Sequence, residues 1–300
     1  MKPKRIVLLG ATGFVGSYLV PRLAADGHQL LLLSRNRNRQ RALAVLPGVR
    51  MHSADVYDRQ ALTGHFAGAD AVINLVGILN ETGRATFQRA HVELTEHVIA
   101  ACNSAGVSRL HQMSSLKAGQ GLSRYLKTRG EAEARVKASD LIWTIYQPSV
   151  IFGRGDGLVT RFAKLLKLSP VLPLARPQSR MAPVYAGDVA AAIARSVADS
   201  RISRCSTLEL YGPDVFTLEQ IVRMVAEAGH MHRLILGLPD SLGRLQAQVA
   251  GLLPGKPMSL DNFLSLRTDS VGRHDGLAAL GITPHHFQPM LASLLGSGGR

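Results

Sequence analysis

Lys4-Arg5-Ile6-Val7-Leu8-Leu9-Gly10-Ala11-Thr12-Gly13-Phe14-Val15-Gly16 is the stretch that decides the fold. Lys4 to Leu9 is basic and then apolar and ends in glycine, the pattern of a buried parallel strand. Phe14 to Ala25 follows with Val15, Leu19 and Leu23 on one helical face. Glycines three apart between a strand and a helix suit a pyrophosphate. Gly10 makes the sharp turn, Gly13 lets phosphates approach the backbone, and Gly16 lets helix and strand pack closely. Amides at the helix start and the helix dipole favour the negative charge. With Thr12, Phe14 and Val15 completing the loop, the segment reads as the cradle of a dinucleotide. The same residues imitate a secretory signal, but a first strand and a glycine turn explain them better, so a cytoplasmic location is expected.

The next strand, Gln29 to Ser34, bears on the kind of dinucleotide. An acidic residue at its end would bind the ribose hydroxyls of NAD. Here the segment runs Ser34-Arg35-Asn36-Arg37-Asn38-Arg39, with no carboxylate. Arg35 is placed to grip a 2′-phosphate bidentately, with Arg37 in support, which favours NADP(H) and leaves NAD(H) open. The competing reading is a solvated basic turn. Asp55-Val56 after the third strand is placed for the adenine, and Leu75-Val76-Gly77 after the fourth for close backbone approach to the cofactor. Local turn chemistry competes at both places.

Farther out, strands and helices alternate. Strands are expected at Val49–His52, Ala71–Val76, Arg109–Ser114 and Leu141–Gln147. Helices are expected at Arg39–Leu46, Asp58–His65, Arg84–Ala105 and Arg124–Lys137. This predicts an α/β fold with a doubly wound parallel Rossmann sheet, ligands binding where the strands end. Residues 1–152 form the NAD(P)-binding domain in this reading. After Phe152 glycine and proline become frequent, and 153–300 reads as a smaller, mixed, mostly helical substrate or partner lobe, with 182–211 returning to the main sheet. Within it, Ala186–Ala198 is a helix, Thr207–Tyr211 a strand, and Thr217–Gly229 a helix with a Thr217/Gln220 capping box. Leu242 to Leu253 is apolar and basic enough to be an interfacial helix, although a core helix of the lobe explains it more simply.

The bulk composition agrees with this. Hydrophobic residues make up 46% of the 300 and charged residues 19%, enough for a core and unlike a disordered chain. Two cysteines far apart fit neither a disulfide framework nor a metal site, and the eleven histidines form no HExxH pattern. No apolar run reaches the ~18 residues of a spanning helix. The net charge of +14 admits contact with an anionic membrane surface or a membrane complex. No nucleic-acid-binding motif accompanies it, so nucleic acid is not an expected partner. Asp188 is expected to cap the helix that follows, and His285-His286 to lie on the surface.

Together GATGFVG, Ala54-Asp55, NLVG at Asn74–Gly77, Ser114-Ser115, Tyr125 within SRYLKTRGEAE, QPSVIFGRGD from Gln147 and PVYAGDVA from Pro183 resemble the atypical or extended short-chain dehydrogenase/reductase superfamily over nearly the whole chain. The short MSSLKAG-to-YLKTRGEAE connection, YGPDVFTLEQIV and LGITPHHFQPML resemble bacterial relatives of the nucleotide-binding accessory subunit of mitochondrial complex I. These are similar in turn to a group linked to ubiquinone synthesis. The resemblance implies a tyrosine acting as acid or base on the substrate oxygen, a lysine four residues later that binds ribose and favours the phenolate, and a serine that holds the substrate carbonyl. Tyr125 and Ser115 match, with Ser114 as a second candidate and cofactor contact. The lysine position is Arg129, which keeps the charge and could bind the ribose but cannot lose a proton. Lys127, two residues away, points to another face. The usual arginine-proline pair after the sixth strand is Gln147-Pro148. The cofactor site therefore reads as whole and the catalytic site as altered. Two functions follow: an NADP-dependent oxidoreductase linked to respiratory or quinone metabolism and acting on an unidentified small molecule, or a non-catalytic NADPH-binding structural or assembly factor for a membrane-associated complex, peripheral to the inner face of the membrane.

Overall fold

The computed structural model describes residues 2–35, 40–251 and 258–296. The chain alternates β1 (Arg5–Leu9), α1 (Phe14–Ala25), β2 (Gln29–Ser34), α2 (Arg41–Ala44), β3 (Val49–Ser53), α3 (Arg59–Phe66), β4 (Ala71–Asn74), α4 (Leu94–Ala105), β5 (Arg109–Met113), α5 (Arg124–Lys137) and β6 (Ile142–Pro148). It then leaves the sheet through β7 (Ile151–Phe152), α6 (Val159–Leu168), β8 (Val171–Ala175), β9 (Arg180–Met181) and β10 (Val184–Tyr185). It returns with α7 (Ala186–Ala198) and β11 (Ser206–Leu210). The last elements are β12 (Phe216–Thr217), α8 (Leu218–Ala228), β13 (Leu234–Leu238), α9 (Asp240–Ala250), α10 (Leu260–Ser265), α11 (Gly276–Ala279) and α12 (Phe287–Gly296).

Seven parallel strands make the main sheet in the order β11-β6-β5-β4-β1-β2-β3. The fold is thus a doubly wound Rossmann sheet, and β11 takes its place beside β6. Successive residues of each strand point to opposite faces. Ile6, Leu8, Leu30 and Leu32 pack with α1 and α7, while Val7, Leu9, Val72 and Leu110 pack with α3 and α4. Runs of Val, Ile and Leu are therefore required, since both faces are covered. Strand order reverses between β1 and β4, and the crevice at their carboxyl ends is where such sheets hold ligands.

The lobe has its own core, in which Phe152, Leu166, Leu172, Val222 and Phe287 are buried together. Helix α8 begins with the expected capping box: Thr217 Oγ1 accepts from Gln220 N and Gln220 Oε1 accepts from Thr217 N. One helix differs from the sequence reading. The helix expected from Arg84 starts at Phe87, because Thr82 to Ala85 closes a tight turn, and Glu81 Oε1 accepts from Phe87 N at 2.8 Å. Its first part, Gln88–Glu93, winds as a π-helix before α4, a local widening that recurs beside functional sites.

Candidate functional site

The turn after β1 is built around Gly10, whose φ of +74° only glycine adopts readily. Gly13 N donates to Gly10 O at 3.0 Å, which closes the loop. A Cβ on Gly16 would lie 2.0 Å from Ala11 O, so helix α1 can approach β1 only with glycine there. Gly13 caps α1 without a side-chain hydrogen bond, which leaves the first-turn amides to the crevice. A cleft of about 1270 Å³ opens there and runs on between the sheet edge and the lobe. Gly10, Thr12, Gly13, Phe14, Val15 and Gly16 line its first part, Ser34 and Arg35 its rim, and Val56, Leu75, Val76 and Gly77 the facing wall. Uncapped amides and glycines where a Cβ would intrude fit the pyrophosphate of a dinucleotide. Arg37 lies outside the described residues.

Buried polar contacts hold this wall. Thr12 Oγ1 meets Ser34 Oγ at 3.3 Å. Asn74 Nδ2 donates to Gln112 Oε1 at 3.1 Å, and Asn74 Oδ1 accepts from Val76 N at 3.1 Å, which sets the turn before Gly77. Asp55 is not among the residues that line the cleft; its carboxylate accepts from Tyr57 N at 3.0 Å.

Ser115, Tyr125 and Arg129 line the same cleft as the glycine loop. Ser115 Oγ is buried and has no protein hydrogen-bond partner, so a ligand oxygen would relieve an unmet donor. Tyr125 packs edge-on against Phe87 and His91, with ring centroids 5.8 and 5.4 Å away. The Arg129 guanidinium is 5.5 Å from the Tyr125 ring centroid and donates to Met113 O at 2.9 Å. It lies against Gly77, where an added Cβ would come within 2.1 Å of Arg129 Nη2. Gly77 thus makes room for the arginine.

Three neighbours carry no signal in the sequence motif. His91 Nδ1 is 2.9 Å from Thr128 Oγ1, which itself donates to Arg124 O, so His91 is the donor in that pair. Burial, with Arg129 nearby, pushes the imidazole down to about 2 and keeps it neutral. Glu133 is buried and accepts from Ser114 Oγ (2.5 Å), Gln147 Nε2 (2.7 Å) and Lys137 Nζ (3.2 Å). The Ser114 hydroxyl is therefore committed to Glu133, and Gln147 turns to the same carboxylate and is not among the cleft-lining residues, whereas Pro148 is. Lys117 lines the cleft with φ of +63°, a strained conformation for a side-chain-bearing residue. Glu133 was findable, since it lies two helical turns beyond Tyr125 on α5.

The lobe is tied to this site. The Asp261 carboxylate accepts from Arg124 N at 2.6 Å and Tyr125 N at 3.1 Å, joining α10 to the start of α5. Asp188 does not cap α7 as expected. It accepts from His285 N at 2.8 Å and meets His285 Nδ1 at 2.7 Å, while His286 pairs with Asp214 at 2.7 Å. Cys102 is buried, which pushes its thiol up to about 12. Among the described residues no cluster suits a metal ion, and no helix is long and apolar enough to cross a membrane.

Comparison with known proteins agrees with this geometry. Residues 10–200 match the NAD(P)H-binding family. The chain is 29% identical over 299 residues to NADH dehydrogenase [ubiquinone] 1 alpha subcomplex subunit 9, mitochondrial, of Arabidopsis thaliana, covering 94% of this chain and 74% of that one. It is 30% identical over 238 residues to the ceramide reductase of Caulobacter vibrioides, covering 78% and 74%. The NADPH-dependent quinone oxidoreductase of Escherichia coli, solved with NADPH, shares the fold with a TM-score of 0.78 at 20% identity, covering 97% and 99%.

Proposed function

This chain belongs to the NAD(P)H-binding family, and we propose that it is an NADPH-dependent oxidoreductase of lipid or quinone metabolism. The observation that carries the reading is Ser115: a buried hydroxyl without a partner, on the same cleft wall as Tyr125 and continuous with the glycine loop. When bound, the dinucleotide supplies the hydride. Ser115 holds the substrate oxygen by hydrogen bonding, and Tyr125 exchanges the proton with it. Arg129 places a fixed positive charge over the Tyr125 ring, from a planar and more rigid head than a lysine's. Arg35, at the end of β2, reads the 2′-phosphate.

A second reading is favoured by the altered lysine position and by the subunit relative: a non-catalytic NADPH-binding factor peripheral to a membrane-associated complex. The two part on one experiment. The protein is purified, denatured and its released nucleotide identified; the apo form is then titrated with NADPH and NADH, and Tyr125→Phe is assayed with short 2-alkanones and quinones. Tighter binding of NADPH than of NADH, with turnover that Tyr125→Phe abolishes while NADPH binding persists, supports the reductase. NADPH retention with no turnover in either form supports the structural factor. Equal or better NADH binding overturns the cofactor reading.

A further inference from the structure

Beyond the nucleotide half, the cleft continues into the lobe between α6, β8 and α10. Its wall there is apolar: Leu158, Phe162, Leu165, Leu168, Val171 and Leu266 line the space. Among the described lining residues there is no Asp, Glu or His. Four uncharged polar side chains on this wall donate into the protein, while Arg161 and Arg180 stand on it as cations. Ser169 Oγ donates to Val171 O, Ser179 Oγ to Leu266 O, Asn262 Nδ2 to Leu79 O and Gln246 Nε2 to Pro173 O. A sugar or other polyhydroxylated ligand would lose its water there and find few partners, which is costly. One buried acceptor, Gln246 Oε1, is left without a partner. It suits a single hydroxyl or amide carried on an otherwise apolar ligand.

The mouth of this half carries a second, independent observation. In the β8–β13 ribbon, Leu172, Leu174 and Ile235 point into the lobe core. Alternation should make the other face polar. Instead it is Val171, Pro173, Leu234 and Leu236, all exposed. Helix α9 extends this face. It buries only Gly243 and Ala247 and leaves Leu242, Leu245 and Val249 more than half exposed, so the apolar segment expected in the lobe core is in part turned outward. Leu168, at 84% exposure, and Val171 stand on the cleft wall itself. Lys164 and Lys167 flank them on α6. Exposed aliphatic patches of this kind mark interaction sites.

From these two observations we infer that the lobe half of the cleft is a binding slot for one long aliphatic chain, which enters past Leu168 and Val171. This deepens the reductase reading by naming the substrate class: a carbonyl compound on a long chain, with the carbonyl end at Ser115 and Tyr125. The chain chemistry is the same whether the ligand arrives as a dispersed lipid or is drawn from a bilayer.

The slot is tested without turnover. NADPH-loaded protein is titrated with cis-parinaric acid below its micellar range, and the probe is displaced by 2-alkanones from hexan-2-one upward. One saturable site is expected, with displacement improving about fourfold per added methylene until the chain fills the slot. Leu168→Asp/Val171→Asp changes two exposed side chains and is expected to weaken probe binding tenfold or more, while NADPH binding shows that the fold is kept. Absence of saturable probe binding, potency independent of chain length, or an unaltered double variant would each overturn the slot. Chain binding that persists in Tyr125→Phe, or in a protein with no reductase activity, keeps the slot and counts only against the reductase reading. Sedimentation with phosphatidylglycerol and with phosphatidylcholine vesicles separates the sources. Pelleting with the anionic vesicles, lost in the double variant, assigns the chain to a bilayer, and no pelleting with retained probe binding assigns it to dispersed lipid.

Discussion

Gly77→Ala tests whether the arginine at the altered lysine position is held as the structure describes. The new methyl would come within 2.1 Å of Arg129 Nη2 and 3.2 Å of its Cζ, and its three nearest neighbours all belong to that side chain. The backbone can stay and the guanidinium must move. Met113 O keeps one donor, because Gln112 Nε2 also reaches it at 3.1 Å. The loss falls on Arg129, which is only 5% exposed and gives up its one protein hydrogen bond. A hydrogen bond to a charged group contributes about 1.5–3 kcal/mol, and that is the expected cost. In an Arg129→Ala background the obstruction is gone, and the same methyl should cost less than about 0.5 kcal/mol. Urea denaturation of the four proteins of the cycle measures both numbers. A Gly77→Ala cost near zero, or costs that simply add in the double variant, would refute the packing of Arg129 against Gly77.

Three other outcomes follow from single contacts. Arg35→Ala should weaken NADPH by roughly 10- to 150-fold, the loss of a charge-assisted hydrogen bond, and leave NADH unchanged in fluorescence titrations; equal losses for both nucleotides would return Arg35 to a solvated turn. His91 stays neutral in the folded chain down to about pH 2, whereas the unfolded chain takes up the proton near pH 6.5. The unfolded state therefore binds more protons below that pH, and stability falls by about 1.4 kcal/mol per unit, roughly 2 kcal/mol at pH 5. His91→Leu should remove one proton from the slope of stability against pH between 5 and 6, and an unaltered slope would assign the acid sensitivity elsewhere. Asp261→Ala removes an acceptor shared by the first amides of α5 and should cost about 1 kcal/mol in urea denaturation, whereas no change would mean that Ser123, whose Oγ accepts from Leu126 N at 3.2 Å, caps the helix unaided.

What the sequence made legible is what is fixed locally. The bounds of α1, β2, α5 and α7 coincide with the periodic segments, because each carries its own apolar face and its own stop. The Thr217–Gln220 box is spelled out within four residues and makes both of its bonds. The site was legible where a motif states its geometry, at Gly10 to Gly16 and at Ser115, Tyr125 and Arg129, which line one cleft. The illegible contacts close across long stretches of chain. Asp261 reaches Arg124 from 137 residues away and His285 reaches Asp188 from 97, and no periodicity encodes either meeting. The start of the long helix near Arg84 was misplaced for a related reason: its end is set by the Glu81 carboxylate and a bridged turn, which helical spacing does not reveal.

The arginine at position 129 is better understood as built into the site than as a damaged lysine. Three features accommodate it, and each lies on a different element. Gly77 after β4 leaves the space its Nη2 fills, Met113 O at the end of β5 accepts from its Nη1, and His91 on the π-helical turn is held neutral beside it. A protonated imidazole there would place a second cation next to the first in a buried setting, so the neutral histidine is what makes the arginine tolerable. A point-charge ammonium would need neither the space at Gly77 nor the planar fork toward the carbonyl. Three positions far apart in sequence therefore accommodate a guanidinium, the kind of agreement between local and long-range contacts that specifies one arrangement. The positive charge beside Tyr125 is kept, but it is fixed by the sheet and by α5 together instead of standing at the end of a mobile chain. Restoring the family's lysine by Arg129→Lys would on this argument loosen the site: the cation remains, while the contact with Met113 O and the fill at Gly77 are lost.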